Sequence, residues 1–421
     1  MHRPVQNLDP MPRNLDLIVF GATGFTGRLV AEHLYARYGA GGEVAWAMAG
    51  RSLAKMHEVR SRIGADDALP LLEADASDAA SLGALVSQAR AIVTTVGPYQ
   101  QHGQALVTAC AHAGTDYLDL CGEPVWMAQM IPRLQAPARA SGARIVFSCG
   151  FDSIPFDLGV VFLQDEALRR FAAPLRQVRA RVRVMKGGFS GGTIASALAT
   201  IEQMEREPEL ERTLADPFAL TPGFRGPAQP AGDAADYDQA ARAWTAPFIM
   251  APINVKNVHR TNALRGHPWG RDFVYDERML CGDGAVGQRR ARAMARNGRM
   301  QTALLRFAPA RALLRRFVLP KPGEGPSAHE RETGCYELLF TGEAADGRTL
   351  QALVRGDRDP GYGSTSKMIA EAALCLVDEV GPGLAAGGVW TPGAAMGLAL
   401  VRRLQARAGL QFSIVAGQED P

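Results

Sequence analysis

Three glycines at three-residue spacing, Gly21, Gly24 and Gly27, are the first residues whose type and position point to chemistry. Gly21 lets the chain turn, Gly24 lets the backbone approach an anion with no Cβ in the way, and Gly27 lets a following helix pack on the preceding strand. The apolar run Leu17-Ile-Val-Phe20 is too short for a helix and reads as a buried strand, and an amphipathic segment begins at Arg28. Strand, tight turn and helix in that order aim the free N–H groups of a helix start at a phosphate. Gly21, Thr23, Gly24, Phe25, Thr26 and Gly27 are therefore read as a pyrophosphate cradle, with a plain glycine turn as the alternative.

A second strand over residues 44–49 ends in Gly50-Arg51-Ser52, with Lys55 one helical turn later. In a dinucleotide fold this is where the adenosine ribose sits. A carboxylate there binds the free 2′-hydroxyl of NAD, whereas an arginine accommodates the 2′-phosphate of NADP. Arg51, Ser52 and Lys55 supply no carboxylate and read as a phosphate clamp, so NADP(H) is the expected cofactor; the alternative is a solvated loop and helix start. Asp75, after a short strand at 69–72, falls where such folds contact adenine, or else caps a helix. A fourth strand over 91–96 stops at Gly97-Pro98. This strand should pass beneath the nicotinamide, which places Thr94, Thr95, Gly97, Pro98 and Tyr99 around the reactive ring.

Strand and helix alternate six times in the first ~150 residues, the pattern of a Rossmann-like doubly wound parallel sheet. After residue 173 the character changes to a half-buried strand (Val178, Ala180, Val182 and Val184 alternating with arginines) and a second glycine turn from Lys186 to Thr193. The expected organisation is α/β: a dinucleotide-binding domain over 14–172, an α+β domain over 173–358 with a Pro/Gly-rich excursion at 207–238, and C-terminal helices over 359–421 packing back on the first domain. Tyr336 to Gly342 and Thr349 to Gly356 form a hairpin.

Composition narrows the classes. The 421 residues are 47% hydrophobic with a net charge of +3, too small to argue for nucleic acid. The six cysteines show neither C-x-x-C pairs nor Cys/His ligand spacing, so no metal site or disulfide framework is expected, and a reducing, cytoplasmic setting fits. No apolar run has the length of a signal peptide core or a membrane span. The stretch from Gln288 to Arg316 holds nine arginines and no acid. It reads as a solvated basic face, or as a surface for an acidic partner or, peripherally, an anionic membrane; Pro309 and the placing of Arg311 among apolar positions make a poor membrane helix.

Together, Gly21-Ala-Thr-Gly-Phe-Thr-Gly27, Ala49-Gly-Arg51, Thr95-Val-Gly-Pro-Tyr99, Tyr117-Leu-Asp-Leu-Cys-Gly-Glu123, Gly150-Phe-Asp-Ser-Ile-Pro155 and Gly191-Gly-Thr193 resemble the saccharopine dehydrogenase-like oxidoreductases. Lys321-Pro-Gly-Glu-Gly-Pro326, Asp359-Pro-Gly-Tyr362 and Val389-Trp-Thr-Pro392 are similar to the trans-acting enoyl reductase branch of that group. The resemblance implies NADPH-dependent reduction of a carbon–carbon double bond in an acyl chain carried by a separate polyketide or fatty-acid synthase. It would give the basic stretch a purpose, since acyl carrier domains are typically acidic. An amino-acid dehydrogenase of the saccharopine type and a non-catalytic NADP(H)-binding protein are the alternatives. Tyr99 and Asp152 are the expected proton donors, with Ser153 and Lys186 also considered; their structural alternatives are a packing wall for Tyr99, a helix cap for Asp152 or Ser153, and a surface charge for Lys186.

Overall fold

The computed structural model describes residues 13–188, 191–208, 210–317 and 324–415. Of the sequence motifs, Phe189, Ser190, residues 321–323 and the N-terminal stretch before Arg13 lie outside the described residues.

The first half alternates as its apolar runs demand: β1 (Leu15–Phe20), α1 (Phe25–Tyr38), β2 (Trp46–Gly50), α2 (Leu53–Arg62), β3 (Leu71–Glu73), α3 (Ala79–Val86), β4 (Ala89–Thr94), α4 (Tyr99–Ala113), β5 (Asp116–Leu118), α5 (Pro124–Ser141) and β6 (Arg144–Val146). Helix α6 (Ile154–Phe171) then leads to β7 (Leu175–Lys186). Strands β1, β2 and β4 are buried along nearly their whole length, because helices cover both faces of a parallel sheet. Helix α4 starts five residues earlier than its apolar periodicity suggests, since its first turn, Tyr99 to His102, is polar and aromatic.

The second half runs α7 (Gly191–Arg206), α8 (Leu210–Ala215), β8 (Asp236–Asp238), β9 (Ala243–Pro247), α9 (Ala251–Leu264), β10 (Val274–Gly282), α10 (Gly284–Arg306), α11 (Ala308–Phe317), α12 (Ala328–Thr333), β11 (Cys335–Ala344) and β12 (Thr349–Gly356). After one π-helical turn (Pro360–Ser364) come α13 (Thr365–Asp378), β13 (Gly388–Trp390), α14 (Pro392–Ala395), α15 (Gly397–Arg407) and β14 (Leu410–Ile414). Two helices follow Thr391, because the chain breaks at Met396 and Gly397, whose φ is +48°.

Two seven-stranded sheets result, in the orders β13-β6-β5-β4-β1-β2-β3 and β14-β12-β11-β7-β10-β9-β8. The first is parallel throughout, with β13 added beside β6 from far along the chain. The second is mixed: β7 pairs parallel with β10 and antiparallel with β11. Helix α13 lies against the first sheet, where buried Glu371 accepts from Tyr38 of α1 and meets His33 and Arg403. Strand β14 instead joins the second sheet through β12.

The arginine stretch divides between two helices. Arg311, which the sequence places among apolar positions, turns inward to Glu205 at 2.8 Å and Glu202 at 3.6 Å, and Arg306 pairs with Glu211. No helix among the described residues is long and apolar enough to cross a membrane.

Candidate active site

The glycine turn is built for close approach. Gly21 holds φ at +87° and its carbonyl accepts the Gly24 N–H at 2.9 Å. A Cβ on Gly27 would stand 2.2 Å from the Gly21 oxygen, so only glycine lets α1 sit this near the strand end. Gly24 occupies the N-cap position of α1 with no side-chain cap, which leaves the first-turn N–H groups directed outward.

These residues form one wall of a cleft of about 990 Å³ across the ends of β1, β2 and β4. Its lining includes Gly21, Thr23, Gly24, Phe25, Thr26, Arg51, Asp75, Thr95 and Gly97. A dinucleotide fits these residues: a backbone cradle at one end, a guanidinium at another, and no Cβ filling the turn.

Three residues expected at the cofactor are placed by their own helices. Ser52 caps α2, its Oγ accepting from the Lys55 N–H at 3.4 Å, and Lys55 lies along that helix, outside the lining. Gly27 acts through packing. Arg51 is left as the cleft's cation, close enough to Asp75 to help hold that carboxyl below its usual value, after the Ser77 backbone and hydroxyl groups that bond to it.

Sequence reasoning missed the opposite wall. Gln101, Gln104, Thr108 and His112 follow one stripe of α4 and line the cleft together with His102. The signal was present as polar residues at helical spacing within an otherwise apolar helix.

At the far end of the cleft, the turn after β4 carries Thr95, Gly97, Pro98 and Tyr99, with a cis bond between Gly97 and Pro98. Thr95 Oγ1 donates to the Gly21 carbonyl at 3.3 Å, joining this turn to the glycine turn. Tyr99 is buried; its hydroxyl donates to the Thr94 carbonyl at 3.2 Å and accepts from the Leu120 N–H at 3.1 Å. Burial lifts its pKa far above the ordinary tyrosine value. Tyr99 thus fastens β4 to β5, the packing role that was the alternative to a proton donor. Pro98 stands at the N-cap of α4, outside the lining.

Two carboxylates unforeseen from the sequence complete this frame. Glu123 accepts the Tyr99 and Gln100 N–H groups at 3.0 and 2.8 Å and a bond from Ser196 of α7. Asp119 accepts from Tyr117, Cys121 and Ser148, and burial pushes its pKa up to about 7. Much of the Tyr117–Glu123 motif therefore holds the strand ends in place.

Asp152 is different. It sits at the start of α6, and a Cβ placed on Gly122 would lie 3.9 Å from its Oδ2 and 4.0 Å from Met250 Cε. Its carboxyl makes no hydrogen bond or ion pair with any other described residue, and burial alone pushes its pKa up to about 6. Ser153, at the N-cap, makes no capping bond; its hydroxyl donates to the Asp152 carbonyl at 2.7 Å and accepts from Asn257 of α9 at 2.6 Å. Gly122 is one residue from Glu123, and Ser196 Oγ lies 3.7 Å from where a Cβ on Gly97 would be. One loop, 121–123, thus separates Asp152 from the cleft's end. Lys186 ends β7 as an exposed residue.

Known proteins agree with this geometry. Residues 17–146 match the family model of the saccharopine dehydrogenase NADP binding domain. A protein of Mycobacterium tuberculosis (strain ATCC 25618 / H37Rv), provisionally named as a trans-acting enoyl reductase, is 42% identical over 412 residues, covering 94% of this chain and 96% of that one. A trans-acting enoyl reductase of Mycobacterium ulcerans is 36% identical over 408 residues, covering 93% and 96%. Among solved structures, apo saccharopine dehydrogenase (L-Glu forming) from Saccharomyces cerevisiae aligns with a TM-score of 0.51 at 12% identity, covering 96% of this chain and all of that one, a likeness of fold.

Proposed function

Because the chain belongs to the trans-acting enoyl reductase branch of the saccharopine dehydrogenase-like family, and is an NADP(H)-binding oxidoreductase, we propose that it reduces an α,β-unsaturated acyl thioester borne by a lipid or polyketide synthase. Residues 14–172 bind the cofactor, 173–358 shape the substrate side, and 359–421 close the structure. When bound, the reduced nicotinamide supplies the hydride that adds to the β-carbon. The chain's own part is to align the cleft through Thr95 and Gly97 and to hold a proton at the Asp152 carboxyl for the α-carbon.

The observation that carries this reading is the juxtaposition of a cleft ending at Gly97 with an unpaired carboxyl of raised pKa one loop away. An amino-acid dehydrogenase would need cations to clamp substrate carboxylates. Burial is the only influence that shifts Asp152, with no charged neighbour contributing, which favours the neutral acyl substrate. The test is NADPH consumption, followed by its absorbance, with an enoyl pantetheine thioester against a 2-oxo acid plus amine. Turnover of the thioester alone is expected; turnover of the second pair alone would overturn the reading. Arg51→Ala should weaken NADPH binding about 10- to 100-fold, leaving NADH unchanged, since a charge-assisted guanidinium–phosphate contact is lost; a fluorescence titration checks this.

We further assign the acidic carrier domain to α10. Arg289, Arg292, Arg296 and Arg299 line a groove of about 770 Å³ with Tyr237 and Trp244, and none of the four has a carboxylate partner among the described residues. Arg292→Glu with Arg296→Glu should raise KM for the carrier-borne thioester and not for the free thioester. The exposed Met300, Leu304 and Phe307 further along this helix favour contact with an anionic membrane surface as a second reading, which vesicle sedimentation would separate.

A further inference from the structure

Phe25 opens α1 and lines the cofactor cleft, yet its ring is enclosed by the second half of the chain. Tyr362 meets it edge-on with ring centroids 5.2 Å apart, and a Cβ on Gly325 would come within 2.6 Å of its ring atoms. The Tyr362 hydroxyl is 2.7 Å from Thr193 Oγ1 at the start of α7. Segments distant in sequence therefore converge on one residue of the glycine turn.

Two guanidinium groups share that ring. The Cζ atoms of Arg28 and of Arg331 are each 5.6 Å from the Phe25 centroid. Both arginines are half-buried, and neither forms an ion pair with any carboxylate among the described residues. Arg331 donates to the Pro326 carbonyl at 2.7 Å. Asp359, an acid that feels the field of Arg331, has its two oxygens bound to the N–H groups of Gly363 and Tyr362 at 2.7 and 3.0 Å. Arg28 feels burial first and then the like charges of Arg62 and Arg331, all of which lower its pKa; only Glu32 opposes them.

Partly desolvated like charges at the positive end of a helix raise the free energy of the empty site, and an arriving anion relieves it. The planar guanidinium suits phosphate in particular. We propose that Arg28 and Arg331 form a phosphoryl-binding pair spanning the two halves of the molecule, beyond the backbone cradle of the glycine turn. The ligand is a phosphate ester. Two sources carry that chemistry: the cofactor's pyrophosphate, and the phosphodiester of a phosphopantetheine arm bearing the acyl group. The second source rests on the enoyl thioester reading above; the first does not.

Binding titrations on the full-length protein separate the sources without turnover. Wild type, Arg28→Gln, Arg331→Ala and Arg331→Lys are titrated with NADPH, and then, saturated with NADPH, with 4′-phosphopantetheine and with pantetheine. If the pair holds the cofactor, Arg28→Gln and Arg331→Ala each weaken NADPH about 10-fold, the loss expected for a charge-assisted contact, and Arg331→Lys weakens it less. If it holds the carrier arm, wild type prefers 4′-phosphopantetheine to pantetheine about 10-fold, Arg331→Ala abolishes the preference, and NADPH affinity is unchanged. Affinities within twofold of wild type throughout, in variants with unchanged thermal unfolding, would overturn the proposal. A protein that reduces no enoyl thioester yet loses NADPH affinity in Arg331→Ala would keep this pair and remove the enoyl reading.

Discussion

The turns that follow β4 and β6 stand on either side of β5, and both put an ionisable side chain near the end of the cofactor cleft. They treat it in opposite ways. After β4, the Tyr99 hydroxyl both donates and accepts a backbone bond, and the N–H groups of Tyr99 and Gln100 end on Glu123. After β6, the Asp152 carboxyl has no partner among the described residues. A satisfied group is costly to move, whereas a half-buried carboxyl with no partner and a raised pKa is placed to take up and give up a proton. Residue type and position alone do not separate structure from chemistry here; the bonds already made do.

The largest expected effect tests that contrast directly. Asp152→Asn keeps shape and removes the proton, so kcat/KM on an enoyl thioester should fall about 10²- to 10⁴-fold, the range for a lost general acid, with no loss of thermal stability. If Tyr99→Phe cost more activity than Asp152→Asn, the two turns would have exchanged roles.

The pH dependence follows from the same shift. The proton must be present, and the folded pKa is about 6, so wild-type kcat/KM should decline as pH rises through that value, and the decline should be absent from the residual activity of Asp152→Asn. Stability carries the same sign. A carboxyl whose folded pKa lies above its unfolded value contributes stability below the unfolded value and loses it as pH rises through the folded one. Asp152→Asn should therefore raise Tm more at pH 8 than at pH 4, and thermal melts at the two pH values check it.

Glu123→Gln probes the other turn. It keeps one oxygen but loses the charge that two N–H groups and Ser196 face, so it should destabilise by about 1.5–3 kcal/mol in a denaturant melt, as for hydrogen bonds to charged groups. Part of that loss should reach the rate, because Ser196 links α7 to this turn. An unchanged midpoint would mean that the turn is not held by Glu123.

The glycine spacing and the apolar runs made the parallel sheet and the tight glycine turn legible in the sequence, because both depend on local geometry: Gly27 is required by an oxygen only six residues away. Long-range placements were not legible. Strand β13 joins β6 from more than two hundred residues later, and Arg311 turns inward to acids about a hundred residues earlier. The buried polar helix α9, with Asn254, Asn257 and Arg260, offers no periodicity of apolar residues to read. Asn257 and the two terminal nitrogens of Arg260 are matched by a hydroxyl and carbonyls brought by other elements, those of Ser153, Leu220 and Val389. The fastening bonds of Tyr99 were hidden for the same reason: the bond to Leu120 exists only once β5 lies beside β4.

Tyr99→Phe is the smallest change and the sharpest control. It removes one oxygen, leaving the Leu120 N–H without its acceptor and one bond to the Thr94 carbonyl unmade, while the ring can keep its packing against Trp126, whose centroid is 6.0 Å away. An unsatisfied buried donor costs about 1–3 kcal/mol, and relaxation of the turn brings the expected loss to about 1–2 kcal/mol on that scale. A residue that only fastens two strands should let kcat/KM fall by no more than about threefold, less than 1 kcal/mol of barrier, and should leave the wild-type decline above pH 6 in place. If that decline vanished in Tyr99→Phe, the titrating group would be coupled to this hydroxyl, and the two turns would be one proton-handling unit instead of a frame and a donor.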